Sequence, residues 1–258
     1  MTSPILVGFL GSLVAGAGTG LGALPIFLRS RWSDEAQRMM LAVAGGMMLG
    51  ATFFSLLQPA LELVREQGGS NAKATMVVSL GTLLGAFVLW VAHAAIPHAH
   101  FSKGQEGGKS LHLGRNTLFV LAIALHNFPE GLSVGIAYGD AASNIGHTVA
   151  LSILAQNLPE GLAVAAALIA DGTSRGRAFF IALATGLIEP VGGLVGAIAI
   201  TASAVLLPWG LAFAAGAMLF VVSGEVIPET HVEGQERSAT FAIIIGFVAM
   251  MALAVLLG

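Results

Sequence analysis

Two hexapeptides carry the chemistry of this chain, His126-Asn127-Phe128-Pro129-Glu130-Gly131 and Gln156-Asn157-Leu158-Pro159-Glu160-Gly161. Each sets a carboxylate and several other cation ligands inside an apolar stretch long enough to cross a bilayer. An ionisable side chain at the centre of such a stretch costs about 2.5–3.5 kcal/mol on insertion scales. A cation passing through the membrane is the simplest compensation. On an α-helix, residues i and i+4 lie about 40° apart, and i and i+3 about 60° apart on the other side. Glu130 is therefore flanked by His126 and Asn127, and Glu160 by Gln156 and Asn157. Opposed across a helix pair, the two faces offer two carboxylates, one imidazole and three amide oxygens. That set allows one cation on the His/Gln side and another on the Asn/Asn side, with the glutamates bridging between them.

Neighbouring residues extend the set. Pro129 and Pro159 lack an N–H, so the carbonyls of Leu125 and Ala155 lose their helical partners and become available to a cation. A third carboxylate, Glu189, again stands one residue before a proline, Pro190. Glu225, Glu229 and His231 close a later apolar segment and would line its cytoplasmic mouth, and Met48 offers a thioether. Ser55 is placed beside the path, with its hydroxyl and that of Ser152 expected to bond helical carbonyls. Mixed imidazole and carboxylate suits Zn²⁺, Fe²⁺, Mn²⁺ or Co²⁺, whereas Mg²⁺ and Ca²⁺ favour all-oxygen sites.

Membrane helices must position these groups. The 258 residues are 56% hydrophobic and 10% charged, against about 25% charged in soluble domains. A water-soluble domain cannot hide that much apolar surface, so the chain reads as an all-α, polytopic membrane protein. With no cysteine there is no thiolate site or disulfide. A net charge of −3 without a basic block gives no reason to invoke nucleic acid. Eight spans are expected near 4–28, 36–61, 74–97, 117–139, 145–170, 177–203, 207–228 and 238–257, in a single domain covering 1–258. No Lys or Arg precedes the first apolar run, which favours a spanning helix over a cleaved leader.

Alternate connections collect Arg29, Arg31, Arg38, Lys103, Lys109, Arg115, Arg175, Arg177 and Arg237, and the opposite set holds only Arg65 and Lys73. By the positive-inside rule the first set is cytoplasmic and both termini face outward. The hexapeptides then run through the membrane in opposite directions. Ala44-Gly45-Gly46-Met47-Met48-Leu49 is echoed by Ala214-Ala215-Gly216-Ala217-Met218-Leu219, each followed by a proline, Pro59 and Pro228. The expected architecture is eight transmembrane helices in a 3+2+3 arrangement with inverted repeats, the site lying at the midplane. Small-residue pairs at Gly18/Gly22, Gly81/Gly85, Gly131/Gly135 and Gly192/Gly196 predict close helix contacts, and exposed small-residue faces would permit a homodimer.

The hexapeptide pair, Glu189-Pro190 and the Glu225…Pro228-Glu229-Thr230-His231 ending resemble the ZIP (Zrt-, Irt-like protein) divalent-metal transporters, the short bacterial branch especially, across all eight spans. The resemblance implies zinc uptake into the cytoplasm through the inner membrane, with Cd²⁺, Fe²⁺ and Mn²⁺ as further substrates, no resident cofactor, and an elevator-like movement of two domains. It implies one metal position formed by Met48, His126, Glu130, Gln156 and Glu160, and a second formed by Asn127, Glu130, Asn157, Glu160 and Glu189. Some bacterial members carry aspartate where this chain has Asn157, which leaves one negative charge fewer here.

Blander readings stand beside these. A membrane di-metal oxidase would need Glu-x-x-His pairs, which are absent, and only His126 is expected within a bilayer core. A structural membrane protein with a protonated polar core would need no transport. His93, His98, His100 and His112 are assigned to or beside the cytoplasmic loop at 98–115, either as transient metal ligands or as solvated residues. His147, Glu62 and Glu66 are expected on the outer surface.

Overall fold

The computed structural model describes residues 3–29, 32–96, 98–100, 104–106, 115–139, 145–201, 203 and 205–257. Arg31, Lys103, Lys109 and His112 lie outside the described residues, as do the side chains of His98, His100 and Arg115. Among the described residues, the only regular structure besides helices is two three-residue strands. Its long helices are α1 (Pro4–Phe27), α2 (Asp34–Glu66), α3 (Asn71–Ala95), α4 (Arg115–Ala137), α5 (Ile145–Ala170), α6 (Arg175–Thr201), α7 (Leu206–Thr230) and α8 (Glu236–Leu257). All but α4 meet both the length and the hydropathy needed to cross a membrane among the described residues, and α4 is 23 residues long. Between α3 and α4, β1 (His98–His100) pairs antiparallel with β2 (Gly104–Glu106), His98 opposite Glu106.

Local signals set the helix ends. Ser33 caps α2 by accepting from the Ala36 N–H at 3.2 Å, with Asp34 and Glu35 in the first turn, and Ser70 caps α3 through Lys73 in the same way. Gly68 (φ +80°) ends α2 in the left-handed region that other residues avoid. The Gly69 N–H reaches back to the Val64 carbonyl there. Inside the membrane segments, prolines reshape the helices. Turns wider than α precede Pro59 and Pro228, at Ala51–Leu57 in α2 and Val222–Val226 in α7. In α6 the helix breaks at Leu187-Ile188, and a new helix begins at Glu189. Pro190 cannot donate to the Gly186 carbonyl, which is why the break falls there.

Glycine decides the packing. A Cβ at Gly22 would collide with the Leu158 carbonyl oxygen and one at Gly161 with that of Thr19, so α1 and α5 lie backbone to backbone. Gly131 and Gly135 of α4 approach the Glu189 and Gly193 carbonyls of α6 in the same manner. The pattern recurs between α2 and α8 (Gly46 on Ile243, Gly246 on Val43) and between α3 and α7 (Gly85 on Phe213, Gly216 on Thr82). These are the approaches that small residues allow in lipid, where packing replaces the hydrophobic effect as the joining force. The helices thus form two closely packed sets, α1/α4/α5/α6 and α2/α3/α7/α8. Between the sets, α5 lies on α2 and α4 on α7, through larger side chains.

An added methyl at Gly131 must displace the α6 backbone, since the atom it meets belongs to the main chain. Overpacking of this kind costs about 1–3 kcal/mol. Gly131→Ala should therefore lower the unfolding temperature of the detergent-solubilised protein. Gly176→Ala, where a Cβ meets open space, should leave it unchanged. Equal melting of the two variants would refute this packing.

Candidate metal path

The residues of the two hexapeptides sit in the helical middle of α4 and α5, with Pro129 and Pro159 inside unbroken helices. Their polar side chains are buried, except that His126 is partly exposed. Asn127, Glu130, Gln156 and Asn157 have no exposed surface, and Glu160 retains 6%. Amides of α5 reach carboxylates on both neighbours. Gln156 Nε2 donates to Glu130 Oε1 of α4 at 2.6 Å, and Asn157 Nδ2 donates to Glu189 Oε1 of α6 at 2.6 Å. The structure thus holds two buried hydrogen-bonded pairs, Glu130–Gln156 and Asn157–Glu189, side by side across three helices.

Oxygen is in excess within these pairs. Glu130 Oε2, Gln156 Oε1, Asn157 Oδ1 and Glu189 Oε2 are buried with no hydrogen-bond partner, as are both polar atoms of Asn127. Leaving a buried donor or acceptor unpaired costs about 1–3 kcal/mol, more for a charged group. Several unpaired acceptors gathered together therefore call for a positive charge. Part of that charge is built in. Glu189 is the first residue of the second α6 segment, where the positive end of the helix dipole favours an anion. A helix interrupted inside a membrane span, with its N-terminus at a ligand site, is a recurring transporter device.

His126 faces a different partner from the one the sequence suggests. Its Nε2 lies 2.6 Å from Glu225 Oε2, and the other oxygen of Glu225 lies 2.8 Å from His93 Nδ1. The two imidazoles stack with centroids 6.3 Å apart and 11° between planes. One ligand atom from each of His93, His126 and Glu225 falls within 4.8 Å of the others, close enough to share a single metal ion. Two imidazoles and a carboxylate form a donor set typical of Zn²⁺ and its neighbours. The wide turn Val222–Val226, closed by the Ile227 N–H on the Val222 carbonyl, sets Glu225 toward α3 and α4.

His93 corrects the sequence reading. The sequence places it in or beside the cytoplasmic loop, with His126 the one histidine within a bilayer core. Instead His93 occupies the last turn of α3, 8% exposed, with the Phe220 ring edge-on at 5.3 Å. The signal was present, because His93 falls inside the expected span at 74–97. A histidine within an apolar helix end needs a buried partner, and Glu225 supplies it. His147, by contrast, is exposed, its ring against that of Tyr138.

The remaining candidates fall as follows. Met48 is buried in the apolar core of α2, one turn before the wide turn at Ala51–Leu57. Ser55 and Ser152 do not bond helical carbonyls as expected; their hydroxyls meet each other at 3.1 Å, joining α2 to α5. Glu229 is buried at the end of α7. His231 has both ring nitrogens engaged, Nδ1 with the Ile227 carbonyl at 2.9 Å and Nε2 with Thr240 Oγ1 at 2.9 Å. As placed, it braces α7 against α8.

Comparison with known proteins identifies the family of the chain. The family model described as ZIP zinc transporter matches residues 93–254. The zinc transporter GufA of Myxococcus xanthus is 50% identical over 97% of this chain and 99% of its own length. The zinc transporter ZIPB of Bordetella bronchiseptica is 43% identical over 96% of this chain and 81% of its own. The human zinc transporter ZIP11 is 30% identical over 99% of this chain and 98% of its own. With its buried acids, its paired hexapeptides and these relatives along nearly its full length, the chain belongs to the ZIP zinc transporter family, a family of transporters rather than enzymes.

Proposed function

We propose that this protein carries divalent transition-metal ions, zinc foremost, across the bacterial inner membrane into the cytoplasm. The observation that carries the reading is the buried, unpaired acceptor oxygen of Glu130 and Gln156 between α4 and α5, together with a three-ligand cluster that includes His126 of α4. Relatives named as zinc transporters support zinc as the substrate. Imidazole and carboxylate donors also suit Cd²⁺, Fe²⁺, Mn²⁺ and Co²⁺.

The path has two linked parts. Glu130, Gln156 and Glu160, with His126 and Met48, would hold the ion near the midplane. Glu225 and His93 would receive it through His126, which belongs to both groups, and Glu229 lies further along α7. Amide ligands beside carboxylates suit a site that must also release its ion. The charge bias of the connections places the His93 end of the path in the cytoplasm and both termini outside.

Inverted repeats are supported by the contact pattern. Exchanging α1, α2 and α3 with α6, α7 and α8, and α4 with α5, converts the α1–α5 contact into α6–α4 and the α2–α8 contact into α7–α3. The wide turns before Pro59 and Pro228 exchange in the same operation. That symmetry fits the 3+2+3 arrangement.

Purified protein in liposomes should take up radioactive zinc. Glu130→Ala and Glu160→Ala should each reduce uptake to the level of protein-free vesicles. Uptake that survives both substitutions, or is absent from the unmodified protein, would sink the transport reading. Glu225→Ala should slow uptake about 10–100-fold, the loss typical when a metal-ligating histidine forfeits its carboxylate partner. An unchanged rate would remove Glu225 and His93 from the path.

A further inference from the structure

We infer that Asn157 is a positioning residue whose carboxamide takes the place of a second cation beside Glu189, so that the midplane site of this chain holds a single metal ion. The inference rests on the transport reading of the same site and concerns how many ions that site can hold.

The side-chain nitrogen of Asn157 faces two acceptors at once, Glu189 Oε1 at 2.6 Å and the backbone carbonyl oxygen of Ala15 at 2.9 Å. An amide turned the other way would set its oxygen against both. The nitrogen must therefore point there, and its two hydrogens are both used. One side chain of α5 thus ties the α1 backbone to the carboxylate at the broken point of α6. All of this is sealed from solvent, with Asn157 and Glu189 showing no exposed surface. The packing around the tie is as tight as the bonds. A Cβ at Gly18 would stand 3.1 Å from the Asn157 Cβ, and one at Gly16 would stand 3.3 Å from the Glu189 Cβ. The small residues of α1 are what let the two side chains lie against it.

An aspartate at 157 would reverse the electrostatics. It would set a carboxylate against both the Ala15 carbonyl and Glu189, an arrangement that like charges and buried acceptors tolerate only with a cation between them. The amide supplies that positive edge through its N–H groups without an ion. The neutral side chain therefore closes the second position in the resting protein, while Glu130, Gln156 and Glu160 remain free of this tie for the transported metal.

Bound Cd²⁺ counted by equilibrium dialysis of the purified full-length protein tests this directly, because differences between variants cancel any ions held elsewhere. Glu189→Gln alone should not change the count, since a glutamine oxygen still accepts from Asn157. Asn157→Asp should gain one ion per chain, and Asn157→Asp with Glu189→Gln should lose that extra ion. A drop of one ion on Glu189→Gln alone, or no gain on Asn157→Asp, overturns the proposal. If Asn157→Asp does not fold, the Glu189→Gln comparison decides by itself. Failure of the transport reading looks different: Glu130→Ala would then release no ion from the otherwise unmodified chain.

Discussion

Three glutamates buried among membrane helices are the constraint around which this structure is arranged. Glu130 and Glu189 have no solvent exposure and Glu160 has 6%, and lipid offers such groups nothing. The protein answers in layers. Amides of α5 donate to two of the acids, and Glu189 opens the second α6 segment, at the positive end of its dipole. Even so, Glu130 Oε2 and Gln156 Oε1 stay unpaired. A proton or a visiting cation would relieve the imbalance, and the proposed transport assigns that part to a divalent ion.

The packing explains how a path can exist without dissolving the fold. Backbone-to-backbone glycine contacts bind α1, α4, α5 and α6 into one set and α2, α3, α7 and α8 into another. Between the sets the meeting is looser and includes the Ser55–Ser152 and His126–Glu225 contacts. Candidate ligands follow this division. The acids and amides of the hexapeptides lie within one set, Glu225 and His93 within the other, and His126 reaches across. In the proposed path, an ion passing from the hexapeptides to the Glu225 cluster would change from one packed body to the other at His126. Two wide turns, one near Met48 and one holding Glu225, place special backbone geometry where the ligands are.

Much of this was legible in the sequence, for identifiable reasons. Hydropathy and the basic residues outline helices because lipid leaves few alternatives. The hexapeptides announce themselves because a Pro-Glu pair within an apolar run has no cheap structural use. The glycine pairs were equally readable, and all four lie at close helix contacts. What escaped was anything that depends on which helices become neighbours. His93 reads only as a residue in or beside the loop, because its partner, Glu225, is more than a hundred residues away in sequence. The Ser55–Ser152 bond was missed for the same reason. Asn157 was read as a weaker ligand, because its bond to the Ala15 carbonyl requires knowing that α1 packs on α5. The α6 break was half visible: Pro190 marks it, but the new helix N-terminus at Glu189 is a three-dimensional fact.

The central claim is that the buried acids exist to hold a divalent ion in transit, and X-ray absorption at the zinc edge tests it most directly. Zinc-loaded protein should show a first shell of nitrogen and oxygen at about 2.0–2.2 Å, with outer-shell scattering from imidazole. Glu130→Ala and Glu160→Ala should strip the carboxylate contribution from that shell. Zinc coordinated by imidazole alone, with a spectrum indifferent to both substitutions, would place the ion at histidines elsewhere and contradict the account.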